Sequence, residues 1–276
     1  MSNLSVIGAT DFSDRSAHVA GRAAQLARHL GARLILVHVG HHDAATTPSR
    51  FSALGLGRGK NHSENDLQAL ASEHGAEFRM LSGDPSEALA TLAEDENAAL
   101  IVLGLHKERR AMDVLRLTTM EKIVLAAPRP VLIAHQPPSR AYLRVLAPTN
   151  FSEASAASLI MAARIAPDAR FYAVHALQLP IGAIFKRGSS DTEAALDRAE
   201  TRSGQFLATP GLPVLAEMPE IVPGGVHQVL EFRREELAAD LICIGDHSGR
   251  DPGALGNYAR DLMRAPHTDL LVAKPR

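Results

Sequence analysis

The chain has 276 residues, of which 46% are hydrophobic, so it can bury one large core or two of ordinary size. Its formal net charge of −2 provides no field that would gather nucleic acid or an anionic membrane, and neither partner is expected. The single cysteine, Cys243, excludes an intrachain disulfide, and every apolar run is far shorter than the roughly 20 residues that cross a bilayer.

The first predicted elements are a strand, a helix and a second strand. The opening MSNLSVIGATD lacks the basic and long apolar regions of a secretory signal, so we expect a cytoplasmic protein. Within that opening, LSVIGAT predicts a buried strand, and Ser13 is suited to cap a helix that ends at Gly31. RLILVHV predicts the next strand.

Three further strands complete the first half. The long segment from Gly40 to Ser63 has few apolar residues, which predicts a mobile loop or a lid. A helix over Glu64 to His74 and a strand in AEFRML follow. The next predicted helix starts with Asp84 as its cap, Pro85 at its first position and Glu87 closing a capping box. ALIVLG and PVLIAH predict the last two strands, with a helix over Thr118 to Leu125 between them.

The second half repeats the first. Asp11, Phe12, Ser13 and Ser16 align at one constant offset with Asn150, Phe151, Ser152 and Ser155. Strands are predicted near Leu143, Phe171, Val214, Leu241 and Leu270. Pro137 and Pro138 lie between the halves, where they disfavour a helix and suit a short extended linker. Strands joined by helices predict an α/β fold with a parallel sheet that is covered on both faces.

The order and spacing of these segments resemble the universal stress protein family. The resemblance is carried by ATDFSDRSAHVA, GARLILVHV, GDPSEAL and LIVLGLHKERR...TTMEKIVLAAPRPVLIA, and it covers both halves. It implies two tandem, doubly wound, five-stranded parallel-sheet domains of strand order 3-2-1-4-5, over residues 1–138 and 141–276. Family members pair through their edge strands. The resemblance therefore implies a pseudo-twofold pair within one chain, made through PVLIAH and DLLVAK, to which a homodimer could be added.

The resemblance also implies a nucleotide site at the carboxyl ends of the first and fourth strands of each half. ATP-binding relatives carry a glycine, two residues, a second glycine, nine residues, and a third glycine followed by serine or threonine. Here Gly104 and Thr118 match, but Lys107 and Leu117 replace the second and third glycines. The implied first-half site is Ala9, Asp11, Val39, Gly104, His106, Lys107, Arg109, Arg110, Thr118 and Thr119.

The second-half site departs further from the family pattern. Asn150 replaces the acid that relatives use near the adenosine, and two residues are missing from the loop before Gly256. The implied residues are weaker candidates: Asn150, Gly245, His247, Gly249, Gly256 and Asn257. Because the first half keeps Asp11 and the full loop spacing, it is the expected anion site if either half has one.

Two interpretations of the first-half loop remain open. The side chains of Lys107 and Leu117 add bulk where a phosphate loop offers bare N–H groups. Lys107, Arg109 and Arg110 nevertheless bring three cations to the loop, and the hydroxyls of Thr118 and Thr119 could assist them in holding a phosphate. The alternative is that these cations are solvated loop residues.

Other residues suggest structural roles. His38, His41 and His42 have no acid or cysteine at regular ligand spacing, so no metal site is expected. Cys243 lies in the apolar run LICIG and is interpreted as an inert core thiol, and Ser13 and Ser152 as helix caps. GLGRGK lacks the Ser or Thr that follows the lysine of a phosphate loop, so it is interpreted as a loop.

Two functions remain on this basis. The first is a stress-response protein that acts by binding rather than catalysis, with a degenerate nucleotide site and an unidentified protein partner. The second is an ATP-binding member whose nucleotide occupancy switches a partner interaction. No cofactor is certain, and ATP or another adenine nucleotide is the candidate ligand.

Overall fold

The computed structural model describes residues 4–13, 16–40, 64–104, 117–178, 190–246, 255–264 and 266–275. The first half contains strands β1 (Ser5–Ala9), β2 (Arg33–Gly40), β3 (Glu77–Ser82), β4 (Ala98–Gly104) and β5 (Val131–Ala134), with helices α1 (Ala17–Leu30), α2 (Glu64–His74), α3 (Pro85–Asp95) and α4 (Thr119–Ala126). The second half contains strands β6 (Arg144–Pro148), β7 (Arg170–Leu177), β8 (Glu220–Pro223), β9 (Leu241–Gly245) and β10 (Asp269–Ala273), with helices α5 (Glu153–Ile165), α6 (Ser190–Leu207), α7 (Val226–Leu237) and α8 (Asn257–Arg264). The segment predicted to be a mobile loop, residues 41–63, lies outside the described ranges.

All ten strands join in one sheet of order β3-β2-β1-β4-β5-β10-β9-β6-β7-β8. Each half has the predicted order 3-2-1-4-5 with parallel pairing. The halves meet where β5 pairs antiparallel with β10, with Leu132 opposite Leu271. This pairing buries the whole of β5 and leaves neither last strand as an open edge. The predicted pseudo-twofold arrangement is confirmed.

Two apolar layers cover the sheet and run through both halves. Val6 and Ile7 are neighbours in β1 and belong to different layers, because successive side chains of a strand point to opposite faces. Helices α1, α2, α5 and α6 cover one face, and helices α3, α4, α7 and α8 cover the other. No helix in the described ranges is long and apolar enough to cross a membrane.

The predicted strand near Val214 is wrong in position. The Val214 side chain is 92% exposed, and only Leu215 makes an isolated bridge, with Phe171. The strand itself is β8, which pairs with the carboxyl-terminal part of β7 from Val174 onward. Two short apolar runs, PVLA and EIVP, compete in the sequence, and only the second reaches the carboxyl end of β7 before α7 begins.

Helix α1 begins later than predicted. Its N-terminal cap is Ser16 rather than Ser13, and Ser16 makes no capping bond with its side chain because its hydroxyl lies 3.0 Å from the Thr10 hydroxyl. The Ser13 hydroxyl instead accepts from the Ser16 N–H within the preceding turn, at 3.3 Å. In the second half the prediction is confirmed, since Ser152 caps α5 by accepting from the Ser155 N–H.

A buried polar cluster fixes the connection between the halves. Asp269, fully buried at the start of β10, accepts from the backbone N–H groups of His135 and Gln136, both at 2.8 Å, and from the Tyr142 hydroxyl. The Arg22 guanidinium of α1 lies 3.1 Å from the same carboxylate and 4.4 Å from the Tyr142 ring centre. The charge of each buried group is thereby paired with a partner from the other half.

Candidate functional site

The turn after the first strand of each half has the same strained geometry. Phe12 and Phe151 adopt positive φ values of 58° and 62°, which bulky residues rarely do. The Thr10 hydroxyl accepts from the Phe12 N–H at 3.0 Å, and the Thr149 hydroxyl accepts from the Phe151 N–H at 2.9 Å. Duplication has therefore preserved a turn that faces the carboxyl ends of the strands.

Asp11 and Asn150 both take part in this turn. Asp11 Oδ1 accepts from the Ser13 N–H at 3.0 Å, and Asn150 Oδ1 accepts from the Ser152 N–H at 3.1 Å. The Asn150 oxygen also accepts from the Ser155 hydroxyl at 3.0 Å. The Asn150 amide oxygen thus accepts the same hydrogen bond as the Asp11 carboxylate, so the turn does not require an acid at position 150.

His38 and His175 stiffen the same turns. Their Nδ1 atoms lie 2.8 and 2.7 Å from the carbonyl oxygens of Thr10 and Thr149. A carbonyl oxygen can only accept, so each Nδ1 donates its hydrogen. Burial lowers the pKa of His175, which favours the neutral ring. The two histidines make the same contact at equivalent positions, which indicates architecture inherited through the duplication.

Gly104 and Gly245 allow helices to pack closely on the strand ends. A Cβ at Gly104 would lie 2.8 Å from Ser16 Cα, and a Cβ at Gly245 would lie 2.6 Å from Ala154 Cβ. No real side chain fits at such distances. Both glycines therefore have a packing reason to be present, independent of any phosphate.

The first half has a small open cavity of about 140 Å³. It is lined by the predicted site residues Ala9, Asp11, Val39, Gly104 and Thr119, which the fold does bring together. Ligand sites usually measure about 300 to 1,000 Å³. The volume of this cavity falls below that range.

Acidic side chains close both helix starts beside this cavity. Asp84 caps α3 by accepting from the N–H groups of Ser86 and Glu87, and Pro85 follows it as predicted. At α4, the Thr118 hydroxyl accepts from the Glu121 N–H at 3.1 Å, while Glu121 Oε2 accepts from the Thr118 N–H at 2.7 Å. This capping box uses the backbone donor that a phosphate would need.

The fully buried Glu121 carboxylate also bridges the halves. Its Oε1 lies 3.2 Å from the Nε atoms of Arg260 and Arg264, both in α8. Burial raises the pKa of the Glu121 carboxyl, whereas the Thr118 N–H and the two guanidinium groups lower it. The lowering effects are larger together, so the pKa lies below its usual value. Glu121 is therefore an ionised internal anion at the start of α4.

The second half has a much larger open cavity, of about 870 Å³. Strand β1 pairs with β4 along all of its residues, whereas β6 pairs with β9 only at Val145 and Leu146. Successive N–H groups of a strand point in opposite directions. The Thr149 N–H donates to β7, so the nitrogen of Pro148 faces β9, and proline has no hydrogen to donate. The strands therefore part at their carboxyl ends.

The polar groups around this cavity differ from those of the first half. Among the described lining residues the polar ones are Thr149, Asn150, Ser155, His175, Gln178, His227, Gln228, Asn257 and Tyr258, and the predicted Gly245 and Gly256 also contribute. The N-cap of helix α7 is Gly225, which offers no side-chain cap in the place of Asp84. Arg260 stands where the repeat has Glu121. The starts of α7 and α8 thus lack the acidic side chains that accept from the backbone N–H groups at the starts of α3 and α4.

Several predicted residues lie outside the described ranges: His41, His42, GLGRGK, His106, Lys107, Arg109, Arg110, His247 and Gly249. Their proposed roles stay predictions. Across the described ranges, no three His, Cys, Asp or Glu residues lie close enough together to hold a metal ion. Cys243 is fully buried, and burial raises the pKa of its thiol to about 12, which confirms an inert core thiol.

Sequence reasoning missed His227 and Tyr258, which line the second-half cavity, and Asp261, which contacts His227. Two signals were present: Pro148 inside a predicted strand, and the pair Gly224 and Gly225 immediately before a helix.

Comparison with known proteins agrees with this architecture. The model of the universal stress protein family matches residues 4–135. A universal stress protein from Archaeoglobus fulgidus DSM 4304 superposes with a TM-score of 0.67 at 16% identity, over 98% of this chain and 96% of that one. A functionally unknown protein from Pseudomonas aeruginosa PAO1 gives 0.62 at 17% identity, over 98% and 92%.

Shorter solved structures match half of the chain. An Archaeoglobus fulgidus universal stress protein in complex with dAMP covers 47% of this chain and 96% of its own, at 21% identity and a TM-score of 0.33. No curated protein sequence matches the chain. The first half, over residues 4–135, therefore belongs to the universal stress protein family, and the second half repeats the strand order of that matched half in tandem.

Proposed function

We propose that this protein is a stress-response protein that acts by binding a phosphate-bearing ligand, such as an adenine nucleotide, in its second half. The observation that carries the proposal is the difference between the cavities, about 870 Å³ against about 140 Å³. The larger volume falls within the range of ligand sites and the smaller one falls below it. The first half is then the degenerate one.

The helix starts support the same assignment. Backbone N–H groups at a helix start attract anions, and the helix dipole adds to the attraction. In the first half Asp84 and Glu121 already satisfy these groups with their own carboxylates. In the second half the N-cap of α7 is Gly225, which lines the cavity and carries no such acid.

This assignment differs from the sequence-based expectation that the first half holds the anion. That expectation rested on Asp11 and on loop cations outside the described ranges. Asp11 is already engaged in the turn after β1. We further propose the domain boundaries 1–138 and 141–276, since Asp269 of the second domain holds the end of the first at His135 and Gln136.

A switch of partner binding by nucleotide is the second candidate. One observation favours it: Tyr258 in the first turn of α8 lines the cavity, and Arg260 and Arg264 of the same helix hold Glu121 of the other half. A ligand that moved α8 would act on both halves. The binding function is the common requirement of both candidates.

The test is a transfer of the first-half cap to the second half. Gly225 has φ −71° and ψ 135°, close to the φ −73° and ψ 124° of Asp84, and a Cβ there would meet no atom within 4 Å. We expect Gly225→Asp to cap α7 and to weaken binding of ATP and AMP about tenfold or more, measured by calorimetry.

Gly225→Ala is the matched control, because it adds a side chain without a charge. It should leave binding within about twofold of the wild type, as the site is open to a methyl group. Unchanged nucleotide binding in Gly225→Asp would place the ligand elsewhere. If the wild-type protein takes up neither ATP nor AMP, the nonbinding interpretation of both sites stands.

A further inference from the structure

A histidine–carboxylate pair stands at the second-half cavity and has no part in the function proposed so far. His227 is the second residue of α7, and Asp261 lies in α8. The His227 Nε2 atom is 2.8 Å from Asp261 Oδ2. The pair therefore ties together the two helices whose first turns border the cavity.

The position of the pair distinguishes it from an ordinary surface contact. His227 lines the cavity, as does Tyr258, and their rings meet edge to face with centres 5.3 Å apart. A carboxylate on one ring nitrogen fixes the orientation of an imidazole and leaves the other nitrogen for a different partner. In the imidazolium form, that second nitrogen donates to an anion.

The equivalent positions of the first half, both of them described, do not hold such a pair. Ser86 holds the second position of α3, and its hydroxyl is bonded to the Asp84 carboxylate. Lys122 stands where the repeat has Asp261, so the charge at this place is reversed. The histidine–carboxylate pair is thus confined to the half with the large cavity and the helix start without an acidic cap.

We propose that His227, positioned by Asp261, binds the phosphate group of the second-half ligand. This inference rests on the proposed function and adds to it the side chain that recognises the anionic end. Backbone N–H groups at the start of α7 and the His227 ring lie on consecutive residues, so one phosphate can meet both. His227 is then a binding residue, and Asp261 is a positioning residue.

The experiment compares AMP with adenosine, which differ only in the phosphate. We expect His227→Ala to weaken AMP binding about tenfold or more at low salt, as expected for loss of a charge-assisted contact, and to leave adenosine binding within about twofold. His227→Lys keeps a cation and should retain most of the AMP affinity. Asp261→Asn should weaken AMP binding less than His227→Ala does, because it frees the ring without removing it.

His267→Ala is the matched control. His267 also faces a carboxylate, Glu231, at 3.9 Å, and its side chain is about as exposed as that of His227, but it does not line the cavity. This variant should bind AMP and adenosine as the wild type does. Because both histidines are exposed, neither substitution should prevent folding.

The outcomes separate the two proposals. A selective loss of AMP binding in His227→Ala supports the assignment. If His227→Ala weakens AMP and adenosine binding equally, His227 only lines the cavity and does not recognise the phosphate. If it weakens neither, His227 is a surface residue outside the site. Both results overturn the inference and leave the proposed function standing. An unchanged Asp261→Asn would overturn the positioning role. If the wild-type protein binds neither probe, both proposals fail together.

Discussion

Ala238 ends helix α7 in the left-handed conformation, with a φ of 45°, and is exposed. An L-residue with a side chain pays about 1 to 2 kcal/mol for this conformation, and glycine does not. We expect Ala238→Gly to raise the free energy of unfolding by about 1 kcal/mol, measured as a higher midpoint of urea denaturation.

Gly31 provides the reverse experiment. It ends α1 with a φ of 58°, and an added Cβ would meet no atom within 4 Å. Gly31→Ala should therefore lower stability by about the same amount, through the backbone alone. Shifts of the same sign in the two variants would contradict this account.

Gly245 tests whether the glycines at the strand ends serve packing. A methyl group there would lie 2.6 Å from Ala154 Cβ and would push α5 away from β9. We expect Gly245→Ala to cost about 1 to 3 kcal/mol of stability. Gly204→Ala is the control: it lies in the exposed interior of α6 with open space around it, and should gain up to about 1 kcal/mol. Wild-type stability in Gly245→Ala would remove the packing explanation.

For single residues, the sequence predicted which positions of the two halves are equivalent but not which other residues they contact. The offset between Asp11 and Asn150 was visible, and the two do form the same turn. The close contact with Ser16 that excludes a side chain at position 104 could not be predicted from the sequence, because Ser16 belongs to another element. The sequence therefore offered a phosphate-binding explanation for a glycine that packing alone accounts for.

Helices α4 and α8 connect the two halves through Glu121. Its carboxylate satisfies Thr118 in its own helix and holds Arg260 and Arg264 in the other. We expect Glu121→Gln to cost about 2 kcal/mol near neutral pH, less than for a fully buried pair because both arginines are partly exposed. Thermal or chemical unfolding of the purified protein measures the loss.

The pH dependence follows from the lowered pKa of Glu121. A carboxyl with a pKa lower in the folded than in the unfolded state stabilises the fold above its unfolded value of about 4.3. That contribution is lost as the pH falls through the lowered folded value. The stability difference between wild type and Glu121→Gln should thus be full above about pH 5 and shrink as the pH falls below about 4. A difference that grows on acidification would exclude the ionised carboxylate.

Element boundaries were predicted best where a side chain closes the end. Asp84 was predicted as a helix cap and Thr118 as a helix start, and the structure places a cap at both. The capping box predicted for Asp84 and Glu87 is found instead at Thr118 and Glu121. The strand near Val214 was misplaced, because neither apolar run carries a local signal of its partner. The pairing of Glu121 with α8 lay beyond sequence reasoning, since these residues meet only through the antiparallel junction of the sheet.

The volume of the second-half cavity also depends on more than local sequence. It opens because Pro148 has no N–H for β9, although the same proline is compatible with the rest of β6. A proline within a predicted strand indicated a break in pairing. It could not indicate which neighbour would be lost until the direction of the Thr149 N–H was known.

On the scale of the whole molecule, the halves share one sheet and two continuous apolar layers. Asp269 adds a buried polar cluster at their junction, with Arg22 from α1 and Tyr142 from the segment before β6. We expect Asp269→Ala to cost about 3 to 5 kcal/mol, because it leaves the Arg22 charge buried without its partner. Glu77→Ala, which removes an exposed ion pair with Arg33, is the control and should cost less than about 1 kcal/mol.

The number of unfolding transitions tests whether the two halves unfold as one cooperative unit. Pairing of β5 with β10 and the shared layers persist in Asp269→Ala, so the variant should still unfold in one transition at a lower temperature. Hydrogen exchange should then become faster together in β2 of the first half and β7 of the second, since both strands lie over the same core. Two separate transitions, or faster exchange in one of these strands only, would show that the polar cluster rather than the shared sheet makes the halves one unit.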